Sequence, residues 1–237
     1  MSFLKAEWRK LAIANFVIDP ETLKEFVPAG TVLDFWDDKC YISLVGFLFK
    51  NTKLLGAKIP FHVNFEEVNL RFYVKRFVDG EWRRGVVFVK EIVPKPALAI
   101  VANTIFRENY EAFPMQHSWT EELDYTSVEY RWKKDENWQG FMVKAEKQSS
   151  EIKQGTEAQF ITEHYWGYSQ VNKSRTNEYE VVHPKWLTYK VIDFTISVDF
   201  GLTYGHKFSF INDLNPSSVM LAEGSEVSVE NKSSIRP

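Results

Sequence analysis

The amino-acid sequence predicts a mainly β protein with a few helices. Aromatic residues make up 16% of its 237 residues, and aromatic side chains pack well on the pleated surface of a sheet. Asp79-Gly80 separates two long alternating or apolar runs, which is the strongest short-range signal for a β-hairpin. Apolar residues form 44% of the chain, enough for a substantial core. We therefore expect one domain over residues 1–237, α+β in class.

Two helices are predicted. Asp19 can cap a short helix that begins at Pro20 and ends by Val27, because an Asp side chain accepts from helix N–H groups and Pro suits the first helical position. Apolar residues at helical spacing after Pro96 predict the second helix, over residues 97–106.

Alternating or apolar runs between turn residues predict the strands. A polar loop is expected at residues 147–155, and a flexible tail at residues 231–237. The predicted strands are residues 41–49, 65–78, 81–93, 125–133, 138–146, 178–183, 187–200 and 226–229.

The Asp79-Gly80 turn fixes the pairing of the predicted hairpin. A two-residue turn places Val78 opposite Glu81, so Tyr73 faces Val86 and Arg71 faces Phe88. Side chains on a strand alternate between two faces. A row of this kind either faces water or lines a polar cavity, and alternation alone leaves both open. The polar row on one face consists of Glu67, Asn69, Arg71, Tyr73 and Lys75.

Composition excludes several classes of protein. The net charge is −3 with acids and bases interspersed, so nucleic acid is not an expected partner. Uncharged runs are far shorter than the ~20 apolar residues of a membrane helix, and the first residues carry charges where a signal peptide needs an apolar segment. Cys40 is the only cysteine, so no intrachain disulfide can form. We expect a cytoplasmic protein.

Familiar catalytic and cofactor motifs are missing from the sequence. It contains no GxGxxG, phosphate loop, GxSxG or HExxH pattern. No two of its five histidines have a short metal-ligand spacing. We expect no metal and no cofactor.

Two further segments contain candidate site residues. Arg107, Glu108 and Tyr110 follow the second predicted helix, and Met115 lies shortly after them; the alternative is an ordinary helix end, with Arg107 near the last carbonyls. His164 lies among aromatic residues, where it either reaches a cavity or packs as a structural side chain. His183 precedes Pro184, and we expect it to be structural.

Several segments together resemble one bacterial family of unknown function, the YqjF-like proteins. The resemblance runs from about residue 11 to residue 229. The matching segments are NLRFYV (69–74), RRGVVFVKEIVPKPALAIVA (83–102), FRENYEAFPM (106–115), EHYWGY (163–168) and YEVVHPKW (179–186). This family is grouped with the acetoacetate decarboxylase fold, an antiparallel, partly closed barrel with peripheral helices and an interior polar pocket. The resemblance therefore implies that the polar row on the hairpin lines a cavity.

The same resemblance bears on catalysis. Acetoacetate decarboxylases carry a GRE segment, a spacer, and then an aromatic residue, Pro and two lysines, the first of which forms a Schiff base. Arg107 and Glu108 match that segment, but Met115 and Gln116 stand at the lysine positions. A thioether and an amide cannot form an imine, so we expect no Schiff-base decarboxylation.

Three functions remain open at this stage. The first is binding of a small, carboxylate-bearing organic molecule. The second is an enzyme that acts on an activated carbonyl compound by general acid–base chemistry. The third is a structural or interaction protein without a ligand. The sequence does not predict the oligomeric state. The candidate ligand-binding residues are Glu67, Asn69, Arg71, Tyr73, Arg107, Glu108, Tyr110, Met115 and His164.

Overall fold

The structure, a computed structural model, describes residues 2–236 and is mostly β. Its helices are α1 (Pro96–Ile105), α2 (Glu157–Thr162) and α3 (Phe200–Tyr204), and two 3₁₀ helices cover Pro20–Phe26 and His206–Asp213. The strands are β1 (Leu4–Ile18), β2 (Val32–Leu33), β3 (Cys40–Leu54), β4 (Phe65–Val78), β5 (Glu81–Val93), β6 (Tyr110–Ala112), β7 (Met115–Glu121), β8 (Tyr125–Lys134), β9 (Asn137–Glu151), β10 (Trp166–Asn172), β11 (Arg175–Val182), β12 (Leu187–Ser197), β13 (Ser218–Val229) and β14 (Ser233–Ile235).

The sheet partly closes into a ring, in the order β11-β10-β5-β4-β3-β1-β13. The closing contact is the short antiparallel pairing of β11 with β13, at Val181–Val229 and Val182–Ser228. Beyond β13 the sheet continues through β12, β9, β8 and β7. Most pairs are antiparallel, but β5 pairs in parallel with both β10 and β6. The mainly β class is therefore confirmed.

The predicted hairpin is confirmed, with the predicted register near the turn. Val78 pairs with Glu81, and Arg71 pairs with Phe88. Between the Arg71–Phe88 pair and the Leu70–Lys90 pair the register shifts by one residue, because β5 contains a β-bulge at Val89. From there to the end of the hairpin, every β5 side chain lies on the opposite face from the one that an unbroken register predicts.

Strand β4 is buried on both faces. Its even-numbered residues from Val68 to Val74 belong to an apolar core that also contains side chains of β8, β9 and α3. Its odd-numbered residues face the interior of the ring, where Phe65 and Tyr73 join a second core with β1, β3 and α2. We call these the outer core and the inner core. The hypothesis that the polar row faces water is wrong, since Glu67, Asn69 and Arg71 are all buried.

Several element boundaries differ from the prediction. Residues 147–151 continue β9 beyond the end of its pairing with β8, because residues 149–151 pair with β12 although their side chains are polar. The predicted strand over residues 187–200 ends at Ser197, and Phe200 begins α3 after Asp199 caps it. The last predicted strand begins earlier, at Ser218.

The two predicted helices are confirmed with small shifts in their bounds. The Asp19 carboxylate accepts from the Glu21 N–H at 2.9 Å, and Pro20 begins the helix. Helix α1 starts at Pro96 and ends at Ile105. Ser233–Ile235 pairs with β11, and Pro237 lies outside the described residues, so the expected flexibility of the tail stays a prediction. None of the helices within residues 2–236 has the length and hydropathy needed to span a bilayer.

Candidate functional site

A cavity of about 240 Å³ lies inside the ring. Its walls come from β1, β3, β4, β5, β6, β10, β11, β13, α1 and α2. Most of the lining is apolar, with aromatic rings such as Trp8, Phe88 and Trp186. The polar side chains that line it are Thr52, His62, Glu67, Asn69, Arg71, Glu91, Glu108, Tyr110, Thr162, His164, Tyr179 and His183. An apolar cavity with a few convergent polar groups is the usual form of a small-molecule site.

Glu67 and Asn69 lie on the inner face of β4. The Asn69 side-chain amide donates to Glu67 Oε1 at 2.9 Å. The Tyr110 hydroxyl donates to Glu67 Oε2 at 3.1 Å. Asn69 Oδ1 has no hydrogen-bond partner within the described chain. An unpartnered buried carbonyl is costly, so this atom is a candidate contact for a ligand.

The β-bulge places Glu91 in the cavity. In the shifted register Glu91 pairs with Asn69, and opposite residues of an antiparallel pair share a face. Glu91 is only 2% exposed, and its Oε2 finds no hydrogen-bond partner in residues 2–236. The loop residue Asn109 supports this irregular stretch, since its amide donates to the Val89 carbonyl at 2.6 Å and its own carbonyl accepts from Glu91 N.

Glu108 enters the cavity from the segment that follows α1. Arg107 has a left-handed backbone, with φ of 62°, which is uncommon for a residue other than glycine. This conformation reverses the chain direction, so that Arg107 is exposed while Glu108 lines the cavity. The Tyr179 hydroxyl donates to Glu108 Oε1 at 2.7 Å. The Phe106 carbonyl, which accepts from Ser169 and Asn177, fixes the segment to β10 and β11.

Tyr110 links the carboxyl groups of the two hairpin strands. Its backbone is held on both sides by Asn103, whose side chain accepts from Tyr110 N at 2.8 Å and donates to Tyr110 O at 2.9 Å. Its hydroxyl bonds to Glu67 and also interacts with the Glu91 carboxyl. Three carboxyl groups and two phenols therefore meet in one part of the cavity.

Burial shifts the protonation of all three carboxyl groups toward the neutral form. Burial raises the pKa of Glu67 to about 7, although bonds from Asn69 and Tyr110 and the charge of Arg71 oppose the change. Burial, together with the charge of Glu67, raises the pKa of Glu108 to about 8 against the bond from Tyr179. Burial and the charges of Glu108 and Glu67 raise the pKa of Glu91 well above its ordinary value. Like charges in a dry site cannot all ionise together.

Arg71 lies further along the inner face of β4 and is 7% exposed. Its one hydrogen bond is a long one, 3.4 Å from Nη2 to the Ile161 carbonyl, and its Nε is unpartnered within residues 2–236. No carboxylate of the described chain forms an ion pair with it. A guanidinium keeps its charge in a protein, so this buried cation lacks a counter-ion.

His164 is held beside Arg71 by a buried ion cluster. His164 Nε2 lies 3.2 Å from Asp34 Oδ2, and Asp34 also bonds Arg84 at 2.6 Å and Lys75 at 3.0 Å. Burial raises the pKa of Asp34, but the bonds from His164, Arg84 and Lys75 outweigh it and hold the pKa well below its usual range. Burial lowers the pKa of His164 to about 4, so the ring is neutral. With Nε2–H donating to Asp34, Nδ1 is an unpartnered acceptor.

His183 also borders the cavity. Its Nδ1 lies 2.9 Å from the Pro184 carbonyl, and its ring stacks on Trp186 with centroids 4.3 Å apart. Burial lowers its pKa, and the nearby Arg71 charge adds to that effect. These contacts fix the corner between β11 and β12.

The nine candidate residues fall into two groups. Glu67, Asn69, Arg71, Glu108, Tyr110 and His164 all line the cavity. Tyr73, Arg107 and Met115 do not line it. Tyr73 packs its ring against His164 but bonds its hydroxyl to Ser43 at 2.8 Å, and Met115 packs on the outer core.

Sequence reasoning missed Glu91, Tyr179 and Asp34. An unbroken hairpin register places Lys90 opposite Asn69 and turns Glu91 to the outer face. The bulge at Val89 reverses this assignment, and no glycine or proline beside Val89 indicates a bulge in the sequence. Tyr179 and Asp34 depend on contacts between distant segments.

Lys90 and Lys144 lie on predicted strands and could replace the missing Schiff-base lysine if they turned inward, but neither reaches the cavity. Lys90 Nζ donates to the Thr203 carbonyl at 2.7 Å and lies 3.1 Å from Glu111. Lys144 Nζ lies 3.7 Å from the centroid of the Tyr125 ring. Neither is among the side chains that line the cavity. No group of three or more His, Cys, Asp or Glu within residues 2–236 is arranged to hold a metal ion.

Solved structures share this fold at low sequence identity. MppR, an enduracididine biosynthesis enzyme solved with pyruvate, has a TM-score of 0.67 and 10% identity, over 98% of this chain and 90% of that one. An acetoacetate decarboxylase-like enzyme from Sphingomonas wittichii RW1 has a TM-score of 0.67 and 10% identity, over 100% and 94%. Acetoacetate decarboxylase from Legionella pneumophila has a TM-score of 0.65 and 9% identity, over 98% and 86%.

These likenesses show the acetoacetate decarboxylase-like fold, which confirms the expectation from the sequence. No curated protein matches the chain at a significant level. The sequence matches DUF2071, described as an uncharacterized conserved protein, over residues 5–226. Since the match covers most of the chain, the protein belongs to the DUF2071 family, whose function is uncharacterised.

Proposed function

We propose that this protein binds a small organic carboxylate in the cavity inside the ring. The observation that carries the proposal is Arg71, a buried guanidinium that lines the cavity and has no carboxylate partner in the described chain. A buried charge without a counter-ion is strongly unfavourable. A carboxylate ligand would supply that counter-ion and accept from the guanidinium fork.

The rest of the cavity suits a short apolar body. Aromatic and aliphatic side chains dominate the lining. The volume of about 240 Å³ is large enough for a molecule of a few carbon atoms. Pyruvate, the molecule bound in a structure of MppR, is of this size class.

The test is binding of unbranched carboxylates from acetate to hexanoate, measured by calorimetry. We expect binding that weakens at least tenfold in Arg71→Gln, because a hydrogen bond to a charged group contributes about 1.5–3 kcal/mol. Arg131→Gln is the matched control, since that guanidinium lies over the Trp138 ring, 5.0 Å from its centroid, and away from the cavity. Unchanged affinity in Arg71→Gln, or no binding of any acid in the series, would refute the proposal.

A second candidate function is general acid–base catalysis in the same cavity. It is favoured by the pKa of Glu67, raised to about 7, and of Glu108, raised to about 8. Carboxyl groups that titrate near neutrality can both donate and accept a proton during a reaction. Exchange of the α-hydrogens of a bound oxo acid with deuterated water, followed by NMR, tests this candidate. Exchange that persists in Glu67→Gln and Glu108→Gln would count against it.

A further inference from the structure

Some polar atoms that line the cavity have no hydrogen-bond partner within residues 2–236, and they indicate which groups the ligand carries. One end contains acceptors and acids, and we call it the acidic end. The other end contains Arg71, His164 and His183, and we call it the basic end. The acidic end consists of Glu67, Asn69, Glu91, Glu108, Tyr110 and Tyr179.

The unpartnered atoms at the acidic end are acceptors. Asn69 Oδ1 and Glu91 Oε2 both lack a hydrogen-bond partner within residues 2–236, and both residues are at least 98% buried. They are directly paired across β4 and β5, so their side chains are neighbours on one face. When Glu91 is ionised these are two adjacent buried acceptors that require a donor between them, and when Glu91 is protonated its own O–H can take that place.

The charge at the acidic end favours a donor that is also a cation. The charge of Glu67 raises the pKa of both Glu91 and Glu108, and the charge of Glu108 raises that of Glu91, so the three carboxyl groups are near enough to repel when ionised. Tyr110 and Tyr179 add hydroxyl groups but no positive charge. The nearest cation of the described lining is Arg71, two residues along β4. A water could donate to the same two acceptors, but only a cation would let the carboxyl groups ionise together.

We propose that the ligand carries a protonated amine in addition to its carboxylate, and that the amine binds at the acidic end between Asn69 and Glu91. The proposal rests on the function proposed above, which places the carboxylate at Arg71. Asn69 and Arg71 are successive residues on one face of β4, about 7 Å apart along the strand at roughly 3.3 Å per residue. The two charged groups of the ligand are therefore separated by a short carbon chain.

Protonation supplies an independent signature of this arrangement. Burial raises the pKa values of Glu67, Glu91 and Glu108, so without a bound cation the acidic end retains protons at about pH 7. An ammonium group lowers those values again, so its binding releases protons. The charged and titratable groups that face the acidic end are Glu67 and Arg71 from β4, Glu91 from β5, Glu108 from the loop after α1, Tyr110 from β6 and Tyr179 from β11.

The test compares three probes of matched length on the full chain, namely δ-aminovalerate, valerate and n-pentylamine. Calorimetry at about pH 7, in two buffers with different ionisation heats, gives both affinity and proton release. We expect δ-aminovalerate to bind at least tenfold more tightly than valerate and to release protons, whereas valerate does not. Affinity for δ-aminovalerate should rise with pH until the amine itself loses its proton, near a pKa of about 10.4.

Glu91→Gln is the decisive variant, because it keeps the side-chain volume and removes the charge. We expect it to lower the preference for δ-aminovalerate over valerate at least fivefold. Glu129→Gln is the matched control, since Glu129 does not line the cavity. A circular dichroism melt of each variant shows whether it is folded.

The outcomes separate this inference from the proposed function. If valerate binds as tightly as δ-aminovalerate, the amine is wrong and the carboxylate at Arg71 stands. If n-pentylamine binds and valerate does not, the amine site is supported and the carboxylate assignment is wrong. If none of the three binds, both proposals fail.

Discussion

The two faces of β4 are equally buried and chemically different. On the outer face Val68, Leu70, Phe72 and Val74 are each 0% exposed and lie among apolar side chains. On the inner face Glu67, Asn69 and Arg71 are almost as inaccessible. The outer face packs against other apolar side chains, whereas the inner face borders a cavity and leaves Asn69 Oδ1 and Arg71 Nε without a partner in residues 2–236.

The outer face of β4 stabilises the fold, whereas the polar groups of the inner face lower its stability. Apolar burial on the outer face contributes roughly 1.5–3 kcal/mol for each large side chain. Buried acids and a guanidinium without a counter-ion oppose folding. Proteins break such rules mainly at functional or strained sites, so the contrast supports the proposal that a ligand binds on the inner face.

The largest effect should come from the outer face. Phe72→Ala removes a fully buried ring, and loss of a buried aromatic side chain costs about 3–5 kcal/mol. The free energy of unfolding, from urea titration, measures this. Phe77→Ala is the control on the same strand, because Phe77 is 58% exposed and should cost less than about 1 kcal/mol. Equal costs at both positions would contradict the assignment of the outer core.

A substitution at Glu108, which lines the cavity, should instead raise the free energy of unfolding. The Glu108 carboxyl has a pKa raised from 4.5 to about 8 in the folded protein, so the folded state holds its proton more tightly than the unfolded chain. Its contribution is fully present below about pH 4.5 and is lost as pH rises through about 8. Glu108→Gln cannot ionise, so it should gain on the wild type by on the order of 2–4 kcal/mol between about pH 5 and about pH 8.5. Thermal melts across that range measure the difference, and a gap independent of pH would contradict the raised pKa.

A smaller difference should separate the two histidines at the basic end. His164→Phe removes the bond to Asp34, and we expect a loss of about 1–3 kcal/mol. His183→Phe keeps a ring on Trp186 and loses only a local bond to Pro184, so its loss should stay below about 1 kcal/mol. Thermal denaturation of both variants measures the two losses. A larger loss in His183→Phe than in His164→Phe would contradict the expectation that the His164 bond to Asp34 is the more stabilising contact.

The last prediction is that no lysine of the protein forms a Schiff base with a β-keto acid. Treatment with a β-keto acid and borohydride, followed by intact mass spectrometry, should leave the protein mass unchanged. Met115 and Gln116 occupy the positions of the lysine pair, and Lys90 is bonded on the outer side of β5 to Thr203. A stoichiometric adduct on any lysine that reaches the cavity would overturn this expectation.

Lys90 and Glu91 show where sequence reasoning stopped. The turn at Asp79-Gly80 fixes the register near itself, and the pairing of Arg71 with Phe88 followed correctly from it. One extra residue at Val89 then exchanges the faces of Lys90 and Glu91. The bulge has no local signature, because it is held by the Asn109 amide on the Val89 carbonyl, a contact from a separate segment.

The sequence by itself determined the mainly β class, the hairpin, helix α1 and the polar row on β4, because each depends on alternation, spacing or turn chemistry within a few neighbouring residues. The tertiary structure alone decided that Glu67, Asn69 and Arg71 of this row line a cavity, that Glu91 and Tyr179 join them, and that Arg71 has no ion-pair partner among the described residues. Those features arise where distant strands close the ring. Burial and charge at such a place are set by all the walls together, and no single segment contains that information.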